Sequence, residues 1–126
     1  MSKNVLVLSG SPRKGGNSEL LCFQFMMGAK AAGHQAEKIN LREAEIGYCL
    51  ACDYCKQHDG VCVQEDDMAG ILEKMIAADV LVLATPLYFY NMNGQMKTMI
   101  DRVYAAYPKI ANKEMYFIMT AADERK

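Results

Sequence analysis

Neither sign of charge predominates in this 126-residue chain: fourteen Lys and Arg stand against fifteen Asp and Glu, a net charge of −1. That balance excludes a polyanion binder, so no nucleic-acid partner is expected, and 52% hydrophobic residues exclude a disordered chain. No uncharged apolar run approaches the roughly 20 residues of a membrane span. No signal-peptide pattern opens the N-terminus either, because strand residues follow Lys3 at once. No membrane partner is expected, and the cytoplasm is the default compartment. Only two histidines occur, His34 after a glycine and His58 among loop residues, and both read as surface positions. An acid–base or nucleophile constellation is therefore lacking, and any redox chemistry has to be carried by a bound group. Internal repeats and low-complexity segments are absent as well.

What is there begins with Asn4-Val-Leu-Val-Leu-Ser-Gly-Ser-Pro-Arg-Lys-Gly-Gly-Asn-Ser18. The apolar run Val5 to Leu8 reads as a strand covered on both faces, and the loop after it presents backbone N–H groups at the start of a helix. Counting from Gly10 to Gly15, the lysine and hydroxyl of a nucleoside-triphosphatase loop are replaced by Gly16 and Asn17. Pro12 takes the second glycine position of the dinucleotide fingerprint. What remains, Ser9, Ser11, Asn17, Ser18 and Arg13, suits a single phosphate monoester. The plainer account is an ordinary loop with a Ser or Asn helix cap.

Further along, Glu19 to Ala32 reads as a helix closed by Gly33, with Leu21, Phe25, Gly28 and Ala32 as its sheet-facing stripe. Phe23, Met26 and Met27 lie off that stripe, which suggests a homodimer contact or simply exposed apolar residues. Gln35 to Leu41 fits an edge strand. Residues 42–66 form a long connection, of the length that is commonly functional. Asp66 or Asp67 caps an amphipathic helix through Met68, Ile71, Leu72, Met75 and Ile76. Val80 to Ala84 is a second buried strand, followed by the aromatic loop Pro86 to Gly94. A helix stripe from Met96 to Tyr107 is closed by Pro108, and Met115 to Met119 is the last strand. Alternating strands and helices define an α/β fold with a doubly wound parallel sheet in three α/β/α layers, one domain over residues 1–126.

Four of the five cysteines fall in the long connection as Cys49-x2-Cys52-x2-Cys55-x6-Cys62. The spacing is close to a ferredoxin run, with a longer last gap and no following proline. Free thiols or a reversible disulfide, and a four-cysteine zinc site, are the alternatives by ligand type. Cys22, on the first helix, reads as a small buried hydrophobe.

Gly10-Ser-Pro-Arg-Lys-Gly-Gly-Asn-Ser18, Pro86-Leu-Tyr-Phe89 and Lys97-x3-Asp101-Arg102 together resemble the flavodoxin-like NADPH-dependent FMN reductase family, including its iron–sulfur flavoprotein branch, over nearly the whole chain. The resemblance implies FMN as cofactor, with its phosphate on Ser11, Arg13, Asn17 and Ser18. The loop Pro86, Leu87, Tyr88, Phe89, Asn91, Asn93 and Gly94 then offers Tyr88 and Phe89 as a wall for the ring and the asparagines as hydrogen-bonding groups. Backbone groups of Thr120, Ala121 and Asp123 meet the pyrimidine edge, and Cys49, Cys52, Cys55 and Cys62 hold a 4Fe-4S cluster. The expected activity is electron transfer from NAD(P)H or ferredoxin through FMN to a small acceptor such as flavin or a quinone. A non-enzymatic electron carrier and a flavin-free binding module are the competing classes. Lys97, Asp101 and Arg102 read as a solvated face. The family's sheet order is 2-1-3-4-5, and here a fifth strand and closing helix are not found, so a fragment, or an edge covered by a partner, is expected.

Overall fold

The computed structural model describes residues 1–122. Its strands are β1 (Asn4–Ser9), β2 (Gln35–Asn40), β3 (Val80–Tyr88), β4 (Asn91–Met92) and β5 (Glu114–Thr120), and its α-helices are α1 (Asn17–Ala31), α2 (Met68–Ala77) and α3 (Gly94–Val103). β2, β1, β3 and β5 lie side by side in that order and all run parallel, in the register Ser9 to Asn40, Ser9 to Ala84 and Pro86 to Thr120. The order matches the expected 2-1-3-4. The strand count is corrected to five: β4 pairs antiparallel with the end of β3, where a loop was expected.

Alternation along the central strands divides the core between the two faces of the sheet. Val5, Val7, Val80, Val82 and Ala84 meet α1 through Cys22, with Phe25, Met26 and Ala29 against them. Leu6, Leu8, Leu81 and Leu83 point the other way, onto Met68, Ile71, Leu72 and Met75 of α2 and Met96 and Met99 of α3. Each such buried leucine contributes about 2 kcal/mol relative to exposure, so this leucine layer fixes the register of β1 on β3.

Two helix expectations are corrected. The sheet-facing stripe of α1 is the buried Ser18 and Cys22 with the half-buried Phe25, Met26 and Ala29, while Leu21, Gly28 and Ala32 are exposed. A helix apolar on nearly every side carries no periodicity that selects a phase, and the small Ser18 and Cys22 are what let it approach the sheet. Its end is as expected: Gly33, at φ +89°, accepts the left-handed turn, and the N–H groups of Gly33 and His34 close on Lys30 and Ala29. α3 stops at Val103 rather than at Pro108. Residues Tyr104–Ile110 continue as a tighter 3-10 stretch kinked at Ala106, with Pro108 inside it. At the start of α2 the Asp66 carboxylate accepts the Met68 N–H at 3.1 Å.

Candidate functional site

Because the four long strands are parallel, every loop that follows one opens at the same end of the sheet. Ligands of open α/β sheets bind at that end. The loop after β1 turns through Gly15 at φ +74° and enters α1 with Gly16 at the cap position, where no side chain caps the helix. The first helical hydrogen bond runs from Leu20 to Gly16 at 3.0 Å, so the N–H groups of Asn17, Ser18 and Glu19 precede it at the positive end of the helix. Ser11 is buried, and its hydroxyl bonds both the N–H and the carbonyl of Arg13 at 3.2 Å, which stiffens the turn; Arg13 and Asn17 are exposed. Ser18 and Thr120 share a hydroxyl hydrogen bond of 2.7 Å, tying the start of α1 to the end of β5. Glu19 takes the Gly15 N–H and pairs with Lys38 at 3.1 Å and Arg42 at 3.2 Å. The Gly15 N–H first, and then the two cations, hold its carboxyl down to about 2.

The second loop is a two-residue hairpin between β3 and β4, with Phe89 and Tyr90 at φ +48° and +68°. Their side chains are 94% and 96% exposed and contact each other edge to face at 5.6 Å. Tyr88 is half-exposed beside them, Pro86 and Leu87 are half-buried, and Gly94 opens α3. Asn91 is exposed, with its side chain bonded to the Met92 N–H at 2.8 Å.

Of the residues expected to face a ligand, Ser9, Ser11, Ser18 and Asn93 are buried. Asn93 is 1% exposed. Its oxygen accepts from Met96 N–H at 3.1 Å and Thr85 Oγ1 at 3.2 Å, and its nitrogen donates to the Gly10 carbonyl. It is a helix cap and a tie between two loops. Gly10 is required there, since a Cβ would stand 2.9 Å from Asn93 Oδ1. Ser9 is fully buried on the α1 side of β1, one step beyond Val5 and Val7. Thr120 ends β5 opposite Pro86 and is bonded to Ser18, Ala121 after it is exposed, and Asp123 lies outside the described residues.

The third loop at this end follows β2 and carries the cysteines. Cys49 and Cys52 are exposed, Cys55 and Cys62 half-buried, and all are free thiols. Left-handed backbone at Ala51, Asp53, Asp59 and Gly60 coils the loop, so that all four sulfur-bearing residues line one small cavity of about 30 Å³. Cys49 Sγ accepts from Ala51 N–H and Cys62 Sγ from Gln64 N–H, each at 3.4 Å. Among the described residues no three His, Cys, Asp or Glu side chains stand close enough to hold an ion.

Arg102 is the residue that sequence reasoning missed. It is 3% exposed, forms a two-pronged pair with Asp66 at 2.7 and 3.0 Å, and reaches Cys62. Met96, Met99 and Arg102 recur every third residue, and that spacing is the signal that places the arginine inward. Lys97 and Asp101 form an exposed i,i+4 pair, as expected. An apolar cavity of about 920 Å³ lies under β5 between Met75, Leu83, Met99, Tyr107 and Phe117, and reaches the cysteine loop at Cys49, Ala51 and Asp53.

A parallel α/β sheet, with a glycine-bearing turn entering α1 and two further loops at the same end, defines the flavodoxin-like class of protein. The chain belongs to the NADPH-dependent FMN reductase family, whose model matches residues 3–126. It is 43% identical over 78% of its length to an iron–sulfur flavoprotein of Archaeoglobus fulgidus, covering 47% of that protein. It is 40% identical over 75% of its length to an iron–sulfur flavoprotein of Methanosarcina thermophila, covering 49% of it. The chain thus spans about half the length of these curated relatives. A crystal structure of RosB with bound 8-demethyl-8-formylriboflavin-5'-phosphate superposes with a TM-score of 0.81 at 18% identity, covering 98% of this chain and 54% of that one. No described helix is long and apolar enough to cross a membrane.

Proposed function

We propose that the chain binds FMN across the first two loops and the end of β5, and serves an NAD(P)H-dependent oxidoreductase of the iron–sulfur flavoprotein type. The observation that carries this is the uncapped start of α1 behind Gly15, tied by Ser18 to Thr120 and by Gly10 to Asn93. These ties hold an anion cradle and two flanking loops in one place before anything binds. The riboflavin phosphate seen in RosB and the family's own description support FMN as the ligand. Bound there, FMN supplies hydride and electron chemistry between reduced nicotinamide or ferredoxin and a small acceptor such as flavin or a quinone.

This chain's residues supply the rest. First-turn N–H groups of α1 and the Arg13 side chain hold the phosphate, with Asn17 beside them. Tyr88 and Phe89 give the ring an apolar wall, and backbone groups of Thr120 and Ala121 meet its polar edge. Cys49, Cys52, Cys55 and Cys62 suit a 4Fe-4S cluster by donor type, since four thiols line one cavity. A cytoplasmic homo-oligomer completes the proposal. Its test is a titration of the chain with FMN, followed by flavin fluorescence, and then anaerobic addition of NADPH and of reduced ferredoxin. Saturable quenching, with bleaching of the flavin band by one donor, is the expected result; free FMN fluorescence throughout overturns it.

A further inference from the structure

We infer that Arg102 is the positioning residue of the cysteine loop: one guanidinium clamps both ends of the loop to α3, holds Cys62, and places a positive charge against the sulfur. The inference rests on the cluster reading above, and deepens it by assigning the control of that site. Nη1 donates to the Gly47 carbonyl at 2.8 Å and to Asp66 Oδ2 at 2.7 Å, while Nη2 donates to Asp66 Oδ1 at 3.0 Å and to Cys62 Sγ at 3.5 Å. Gly47 lies two residues before Cys49, and Asp66 lies four after Cys62. The Gly47 N–H also donates to Asp66 at 2.8 Å, so entry and exit of the loop are bonded through the same pair.

A buried arginine is costly unless its donors are used, and here the fork serves a carboxylate, a carbonyl and a sulfur together. A solvated face needs none of these contacts. Lysine, with a single ammonium, cannot serve all three at once. Hydrogen bonds and charge at ligating sulfur are among the main settings of a cluster's potential, and a nearby cation favours the reduced form.

The test uses the whole chain, reconstituted without oxygen with iron and sulfide, as wild type, Arg102→Lys, and the double variant Arg102→Met with Asp66→Asn. The double variant removes both charges and so leaves no buried carboxylate unpaired. Iron and sulfide per chain report positioning, and an EPR-monitored redox titration reports the charge. We expect both variants to hold less cluster than wild type. The double variant's remaining cluster should shift about tenfold toward oxidation, about 59 mV for one electron, while Arg102→Lys keeps the wild-type potential. Equal cluster content and equal potential in all three proteins overturn the inference. A wild type that takes up no iron or sulfide refutes the cluster reading separately, and the inference is then decided with cobalt(II). Sulfur-to-cobalt absorption of four thiolates in wild type and three in the double variant upholds the clamp. Four in both, or no cobalt uptake at all, overturns it.

Discussion

Glu19 sits where an acid is least expected, in the first turn of a helix proposed to meet a phosphate. Its part is structural: the carboxylate draws in the Gly15 N–H and anchors the turn to Lys38 and Arg42 on the β2 side. The folded carboxyl is held at about 2, below its ordinary 4.5, so folding favours the ionised form. Its contribution is therefore complete above about pH 4.5, and is lost as the pH falls through the window down to about 2. After discounting for solvent screening it amounts to about 1 kcal/mol. Urea unfolding should show Glu19→Gln destabilised by that amount at pH 6, and closing on wild type near pH 3. A gap that persists unchanged at pH 3 would assign the effect to packing. Nothing in the local sequence marks this role of Glu19, because Lys38 and Arg42 lie far along the chain. Asn93, expected to face a ligand, and Arg102, expected on a solvated face, both turn inward, because one polar side chain in a motif looks alike whether it meets ligand, solvent or a neighbouring loop.

At the scale of elements, the β3–β4 hairpin is the least comfortable piece of the chain. A two-residue turn with both residues at positive φ is normally made by Asn-Gly, and here two aromatics occupy it. Strain of this kind persists where a function uses the side chains. Replacing Phe89-Tyr90 by Asn-Gly should raise stability by about 1 kcal/mol. The same change should weaken FMN binding if the aromatics cover the ring. Differential scanning calorimetry and the FMN titration measure the two effects separately. A variant no more stable than wild type would show that the turn carries no strain. The hairpin was not legible in the sequence, since three aromatics after a strand signal a ligand wall as readily as a turn. The phase of α1 was equally hidden by its uniform apolarity. The central strands, the amphipathic α2 and the glycine-closed α1 were legible, because alternation, helical period and a helix-ending glycine each report a local physical cause.

On the scale of the whole molecule, the sheet is unevenly covered. β5 pairs with β3 on one side, and no strand borders its other side among the described residues. Phe117 and Met119 are each 62% exposed, and Phe117 with Met115 borders the large apolar cavity. An open strand edge with apolar side chains is a template for another chain, and it carries no proline within it to block pairing. The family's sheet order, with no fifth strand found, already implied such an edge. A second uncovered surface is α1, where Leu20, Leu21, Phe23 and Met27 are exposed. It differs in kind, because its backbone is already hydrogen-bonded within the helix and offers only side chains. Self-association of the chain should therefore run through β5. Sedimentation velocity should show a coefficient that rises with concentration, and Met119→Lys should weaken association about tenfold by burying a charge at the junction. Phe23→Glu should leave it unchanged. If Phe23→Glu disperses the chain and Met119→Lys does not, the contact lies on α1 and the strand edge is protected by some other means.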